Sequence, residues 1–247
     1  MKIAVAQIRP EVGAVEKNVD RHLKLIDLGV SCGADLIVFP ELSLTGYEPS
    51  CADAHARYCD DFCFDRIQSF CNQCNLTTGV GFSLRTDALP RISNLLFGAH
   101  VPPSLYSKRF LHQDEVPFFE CGEQCDSSIF VDPVVALAIC YELSVPEHAD
   151  AAFASGASAY VASAAKTARG VGEASRRLSG IARRHSAIVM LANCLGPMDG
   201  VECAGRSAVW GRNGQLLARL DESAEGVIVV DYDTEQVVVE TLAYEID

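Results

Sequence analysis

The stretch "AICYELSVPE", residues 138–147, ends an apolar run on a single cysteine, Cys140, where the chain turns polar. A thiol there could act as a nucleophile, because a buried strand would hold it rigidly and a sharp exit toward a helix would present its sulfur. A strand-end cysteine can equally be a small hydrophobic filler. The difference lies in whether a base can take its proton and donors can hold an oxyanion. "LIVFPELSLTGY" offers a carboxylate, Glu41, directly after an apolar run and Pro40. Burial at a strand end would raise its pKa and suit it to proton transfer near neutral pH; in an open loop it would be a solvated acid. "LYSKRFLHQDEVPFFECGE" offers Lys108 and then Glu115 inside an aromatic stretch. Taken alone, such a lysine is an ordinary surface residue with an acid beside it.

The chain has eleven cysteines, so the other ten need a reading. Cys59, Cys63, Cys71 and Cys74 fall within sixteen residues, and four thiolates converging tetrahedrally would make a zinc site. The segment 60–75 instead reads as one helix, with Cys63, Ile67, Phe70 and Cys74 on a single apolar stripe, which favours core packing. Cys121 and Cys125 flank acidic, loop-like sequence and carry no chemistry of their own.

The elements that must position these groups follow from periodicity. Strands are expected at 2–8, 35–39, 77–84, 92–100, 159–164 and 187–193, and helices at 15–34, 60–75, 172–185 and from Pro146 to about Ser155. "SIFVD" and "VVALAI" straddle Pro133 as a hairpin-like pair. Asn213-Gly214 between two apolar runs predicts a second hairpin, and "GVIVVDYD" a closing strand. β-α-β passages mixed with hairpins imply mixed sheets covered by helices, a single α/β domain over 1–247 with no internal repeat.

At 247 residues such a domain can bury a large core. The formal charge of −13 argues against nucleic acid or anionic membrane as partners. No apolar run approaches the ~18 residues a membrane span needs. The N-terminus lacks a signal-peptide layout, so the reading expects a cytoplasmic protein with reduced thiols.

"FPELSLTGY", "YSKRFL" and "ICYELSVPE", in this order, closely resemble the three signature motifs of the carbon–nitrogen hydrolase (nitrilase) superfamily. The resemblance runs from "KIAVAQIRPEVGAVEKN" through "LANCLG" to "AGRSAVWGRNGQLLARL". It implies an α-β-β-α sandwich, two mixed sheets between helix layers. It further implies a catalytic Glu41–Lys108–Cys140 triad, Glu115 as the frequent second glutamate, and the backbone N–H of Tyr141 beside Lys108 at the oxyanion. The implied reaction is hydrolysis of a small amide or N-carbamoyl compound through a Cys140 thioester, without metal or organic cofactor. An acyltransferase using the same acyl-enzyme and a true nitrilase are the alternatives. Cys-Tyr-Glu at 140–142 is closer to the Cys-Tyr-Asp of the amidase and carbamoylase branches than to the Cys-Trp-Glu of nitrilases. Family members commonly pair, so a homodimer or larger homo-oligomer is expected.

Two departures from the family pattern stand out. In "IARRH", 181–185, Arg184 occupies a position that is acidic in many relatives. "SAAKTARGVGE" follows the strand 159–164 without the usual tryptophan and instead offers Lys166 and Arg169. Either could hold a substrate carboxylate, which would favour ω-amides of dicarboxylic acids or N-carbamoyl amino acids; as solvated loop charges they would do nothing.

Overall fold

The computed structural model describes residues 1–123, 128–129 and 133–243. The chain opens with β1 (Lys2–Gln7), α1 (Val15–Ser31) and β2 (Leu36–Val38). A short helix α2 (Ala52–His55) and α3 (Asp65–Cys74) then lead to β3 (Thr77–Leu84), β4 (Arg91–Phe97) and β5 (Ser104–Ser107). The second half begins with β6 (Ser128–Ile129) and β7 (Val135–Ile139), followed by α4 (Pro146–Ala154), β8 (Ala159–Ala164), α5 (Ala168–His185) and β9 (Ile188–Asn193). Hairpin strands β10 (Leu195–Met198) and β11 (Val201–Ala204) come next. The chain finishes with β12 (Ala208–Trp210), β13 (Leu216–Arg219), β14 (Gly226–Asp231) and β15 (Val237–Thr241).

Seven strands form one sheet in the order β15-β14-β1-β2-β3-β4-β5, and six form another in the order β13-β12-β9-β8-β7-β6. Each is mixed. β1-β2-β3 and β7-β8-β9 are parallel triplets, and antiparallel strands flank both. Side-chain alternation sorts three layers of core. Ile3, Val5, Leu36 and Val38 meet Val135, Leu137, Ile139, Val161 and Met190 between the sheets. Ala4, Ala6 and Ile37 point the other way, onto Val19, Ile26, Ile67 and Cys71 from α1 and α3. Ala136, Ala138, Tyr160 and Leu191 pack on Ala149, Ala152, Ala174, Leu178 and Ala182 from α4 and α5. Strands covered on both faces must be apolar at successive positions, which is why the runs at 35–39 and 159–164 show no alternation. The architecture is the expected α-β-β-α sandwich.

Several expectations need correcting at their edges. α1 stops at Ser31, short of residue 34, because Gly33 leaves the helical region with φ +83°. The segment 60–75 is not one helix: Cys63 lies in a separate 3₁₀ turn, Phe62–Phe64, before α3 begins at Asp65. Cys63 and Cys71 are nonetheless buried in the core, Cys74 packs against it and Cys59 is exposed. α5 starts at Ala168 rather than near 172, capped by the Thr167 side chain, which accepts from the Gly170 N–H. β5, β10, β11 and β15 have no counterpart among the expected strands, and "GVIVVDYD" does not close the sheet, since β15 pairs outside β14. β6 and β7 pair antiparallel as expected, although residues 130–132 between them, like Cys125, lie outside the described residues. The Asn213-Gly214 hairpin joins β12 and β13, with Gly214 at φ +81°. Among the described residues no helix is long and apolar enough to cross a membrane.

Candidate active site

Glu41, Lys108 and Cys140 each follow directly on the end of a strand: β2 (through Phe39-Pro40), β5 and β7. Facing sheets bring these ends together. The Lys108 ammonium donates to Glu41 Oε1 and to Glu115 Oε1, both at 2.7 Å. Glu41, Lys108 and Glu115 are all at most 1% exposed. Glu115 is itself held, since Oε2 accepts from the His112 N–H at 2.7 Å and Oε1 from the Tyr47 hydroxyl at 3.1 Å. Glu41 Oε2, by contrast, is buried with no hydrogen-bond partner. A buried carboxylate oxygen left unpaired is costly, and here it belongs to the group that would serve as base.

Cys140 is the first residue of a 3₁₀ turn, Cys140–Ser144, and stands in the left-handed region with φ +46°. Such a backbone costs a residue with a Cβ about 1–2 kcal/mol. It makes the abrupt strand exit that the sequence suggested for this cysteine. Residue Tyr141 follows on the same turn, its ring edge-on to His112 at 5.3 Å.

The charges interlock. Burial raises the Glu41 pKa, with Lys108 working against the rise and Glu115 adding to it. Burial alone would depress the Lys108 ammonium, but Glu41, Cys140 and Glu115 hold its pKa above the ordinary lysine value. Burial and the Glu41 charge push the Cys140 thiol up, while Lys166 and then Lys108 oppose the rise. The raised thiol pKa keeps the proton on sulfur, and the raised carboxyl pKa makes Glu41 a stronger base for it.

Two glycines permit the approach. A Cβ on Gly81 of β3 would press into the Pro40 carbonyl and the Leu42 N–H, the peptides on either side of Glu41. A Cβ on Gly122 would meet the Ser107 carbonyl, beside the point where the Gly122 N–H donates to the Lys108 carbonyl at 2.7 Å. Gly81→Ala is therefore expected to lower thermal stability by roughly 1–3 kcal/mol, the usual cost of overpacking. If the triad implied by the sequence is catalytic, the substitution should also cut turnover about tenfold or more by displacing Glu41. Thermal unfolding and steady-state assays measure the two effects, and unchanged turnover in the folded variant would mean the Glu41 loop is not held in place by this contact.

Behind Cys140 lies a buried polar network that sequence reading missed. Glu142 accepts from the Ile139 N–H, the Arg109 N–H and the Tyr106 hydroxyl, each at 2.7 Å. The Tyr106 hydroxyl also meets His148 Nε2 at 2.9 Å, and His148 Nδ1 meets the Tyr160 hydroxyl at 2.9 Å. Burial brings the His148 pKa down to about 4, so the ring is neutral at ordinary pH. Glu142 thus ties the Cys140 turn to the residue after Lys108. Only its place two residues after the cysteine hinted at this.

Of the two loop cations, the structure brings one to the site. The charge of the Cys140 sulfur, foremost, holds the Lys166 ammonium above the ordinary lysine value against the pull of burial. Arg169 does not reach it. Because α5 begins at Ala168, Arg169 sits on an outward-facing first turn, its side chain 92% exposed and 3.8 Å from Glu173. Arg184, at the departed acidic position, pairs with Asp150 of α4 at 2.9 Å.

The carbon–nitrogen hydrolase family profile matches residues 2–239. The glutamine-dependent NAD(+) synthetase of Aquifex aeolicus is 26% identical over 94% of this chain, and that of Xylella fastidiosa (strain Temecula1) 28% identical, also over 94%. The match takes up 42% and 44% of those proteins, so the chain spans less than half the length of the curated relatives it matches. Among solved structures, the NitN amidase from Nesterenkonia sp. AN1 superposes with a TM-score of 0.86 at 25% identity, covering 95% of this chain and 93% of that one. A variant of that amidase in complex with butyramide gives a TM-score of 0.85 at 25% identity, covering 94% and 90%.

Proposed function

The chain belongs to the carbon–nitrogen hydrolase family, the nitrilase superfamily, and on that footing we propose that it cleaves a small amide to carboxylic acid and ammonia through a Cys140 thioester. The observation that carries this reading is the divided Glu41 carboxylate, with Oε1 pinned by Lys108 and Oε2 buried and unpaired. Oε2 takes the Cys140 proton and the sulfur attacks the carbonyl carbon. The charge that develops on oxygen falls to the third N–H of Lys108 and the backbone N–H of Tyr141. Glu41 returns its proton to the departing nitrogen, so that ammonia leaves neutral and the thioester remains. It then takes a proton from water, the hydroxide attacks the thioester, and the acid departs as the proton returns to sulfur. Glu115 holds Lys108 in place through the second hydrogen bond.

Two further facts narrow the substrate. The Nesterenkonia amidase variant was solved with butyramide, a small neutral primary amide. Another variant of it carries the acetamide moiety of fluoroacetamide on its active-site cysteine. The sequence relatives are by name glutamine-dependent, and glutamine is itself a primary ω-amide bearing a carboxylate. Primary amides are common to both, and glutamine as ammonia donor is the second reading.

Ammonia release from butyramide, glutamine, ω-amides of dicarboxylic acids, N-carbamoyl amino acids and nitriles, with and without hydroxylamine as acceptor, tests the reading. Release from at least one primary amide, lost in Cys140→Ala, is expected. The acid limb of the kcat/KM profile should lie above the ordinary carboxylate range, because Glu41 must be ionised to act and burial raises its pKa. Turnover of nitriles alone, or acyl transfer with no hydrolysis, would overturn the amidase assignment.

A further inference from the structure

The turn that carries Glu41 is tied down from behind by groups the triad chemistry does not use. His22, on the buried face of α1, has no exposed surface, and its ring lies 4.3 Å from that of Phe39. Its Nδ1 is 2.6 Å from the Asn18 carbonyl oxygen, and its Nε2 is 3.0 Å from the Ser43 hydroxyl. A carbonyl only accepts, so Nδ1 carries the proton and Nε2 is left as an acceptor. Burial brings the His22 pKa down to about 4, which keeps the ring in this neutral form near neutral pH. Ser43 therefore donates to His22, while its oxygen accepts from the Gly81 N–H at 3.3 Å. The hydrogen bonds through His22, Ser43 and Gly81 thus have a single consistent direction.

This chain ends on the strand against which Glu41 sits. A Cβ on Gly81 would stand 3.0 Å from the Glu41 carbonyl carbon, and the Gly81 carbonyl accepts from the Leu44 N–H at 2.8 Å. Asn18, one turn before His22 and equally buried, donates from Nδ2 to the Leu44 carbonyl at 2.8 Å. Between these ties Leu42, the residue after Glu41, stands in the left-handed region with φ +50°. A residue with a Cβ keeps that conformation only where its surroundings impose it. Packing beside Phe39 alone would be served by an apolar side chain, with no ring nitrogen to desolvate. We propose that His22 is a positioning residue, which acts through the Ser43 hydroxyl to hold the Glu41 turn against Gly81. The inference rests on Glu41 as the base of the reaction proposed above. Loosening the turn would misplace that base in the transition state while leaving the substrate's own contacts in place, so the effect belongs in kcat rather than KM.

Two measurements test this: steady-state kinetics on a primary amide that the wild type turns over, and amide hydrogen exchange at Gly81 and Leu44. Ser43→Ala and His22→Leu are each expected to lower kcat about tenfold, with KM within about twofold of wild type, and to speed exchange at both amides about tenfold. The double variant should be no slower than the slower single one, because both changes break the same link. His22→Gln, whose side-chain oxygen can accept from Ser43, should recover part of the loss. Ile26→Val, one turn further along α1 in the same apolar layer, should lower thermal stability and leave both readouts unchanged. If His22→Leu does not fold, Ser43→Ala, the smaller change, decides. Unchanged exchange at the turn or a normal kcat in folded Ser43→Ala overturns the proposal, and so does an equal kcat loss in Ile26→Val. If wild type hydrolyses no amide while exchange at the turn still depends on His22 and Ser43, the hold on the turn stands and the hydrolase reading fails instead.

Discussion

Cys140→Ala is expected to lower amide hydrolysis by at least about 10⁴-fold, because removing the nucleophile forecloses the thioester route altogether. The fold should survive, since the side chain is small and partly exposed. Cys140→Gly should be equally inactive yet more stable than Cys140→Ala by roughly 1 kcal/mol. At φ +46° an alanine keeps the Cβ strain that glycine releases. Denaturant melts of the two variants measure the difference. Equal stability would mean that the turn relaxes once the thiol is gone, so that the strain is not built into the fold. Either variant hydrolysing amides at a substantial fraction of the wild-type rate would mean another group is the nucleophile.

Lys108→Arg is the second large effect, expected to cost about 10³ in kcat, or about 4 kcal/mol in transition-state stabilisation. The substitution keeps the charge, but the site is built around a compact ammonium. Lys108 Nζ lies 2.7 Å from both carboxylates with no solvent-exposed surface to expand into. A planar guanidinium would spread its donors over a wider fork, displacing Glu41 or Glu115 and vacating the oxyanion position. Lys108→Met should do at least as much harm and should destabilise the protein as well, because it leaves two buried carboxylates facing each other. Near-normal kcat in the arginine variant, whatever its KM, would mean that Lys108 only holds substrate or packs.

The parts of the site that could be read from sequence are those in which one residue follows one apolar strand. Glu41 and Cys140 each terminate such a run, whereas Lys108, after the weakly apolar β5, stood out only through the order of the three motifs. Glu142 was hidden because two of its donors, the Tyr106 hydroxyl and the Arg109 N–H, come from another stretch, and nothing local marks this carboxylate as their acceptor. Lys166 and Arg169 looked interchangeable on paper. Their separation turned on the start of α5, expected near 172, where the Thr167 cap in fact begins the helix at Ala168. The same limit applies to the strands. β3 and β8 have the bounds their apolar runs suggested, whereas β5 is four residues long and β15 is largely exposed, so neither carries a strong hydrophobic signal. β15 is strand because β14 offers it an edge, which is information held in the tertiary structure.

The proposed thioester is the species on which every step of this reading depends, and intact mass spectrometry of the acid-quenched enzyme after brief incubation with a turned-over amide would observe it directly. The expected result is an adduct with the mass of the acyl group, localised to Cys140 by peptide mapping, absent from Cys140→Ala and decaying as acid appears. Steady turnover with no covalent species even on rapid quench, or an acyl group mapped to Cys194 or Cys203, would contradict the assignment of Cys140 as the nucleophile.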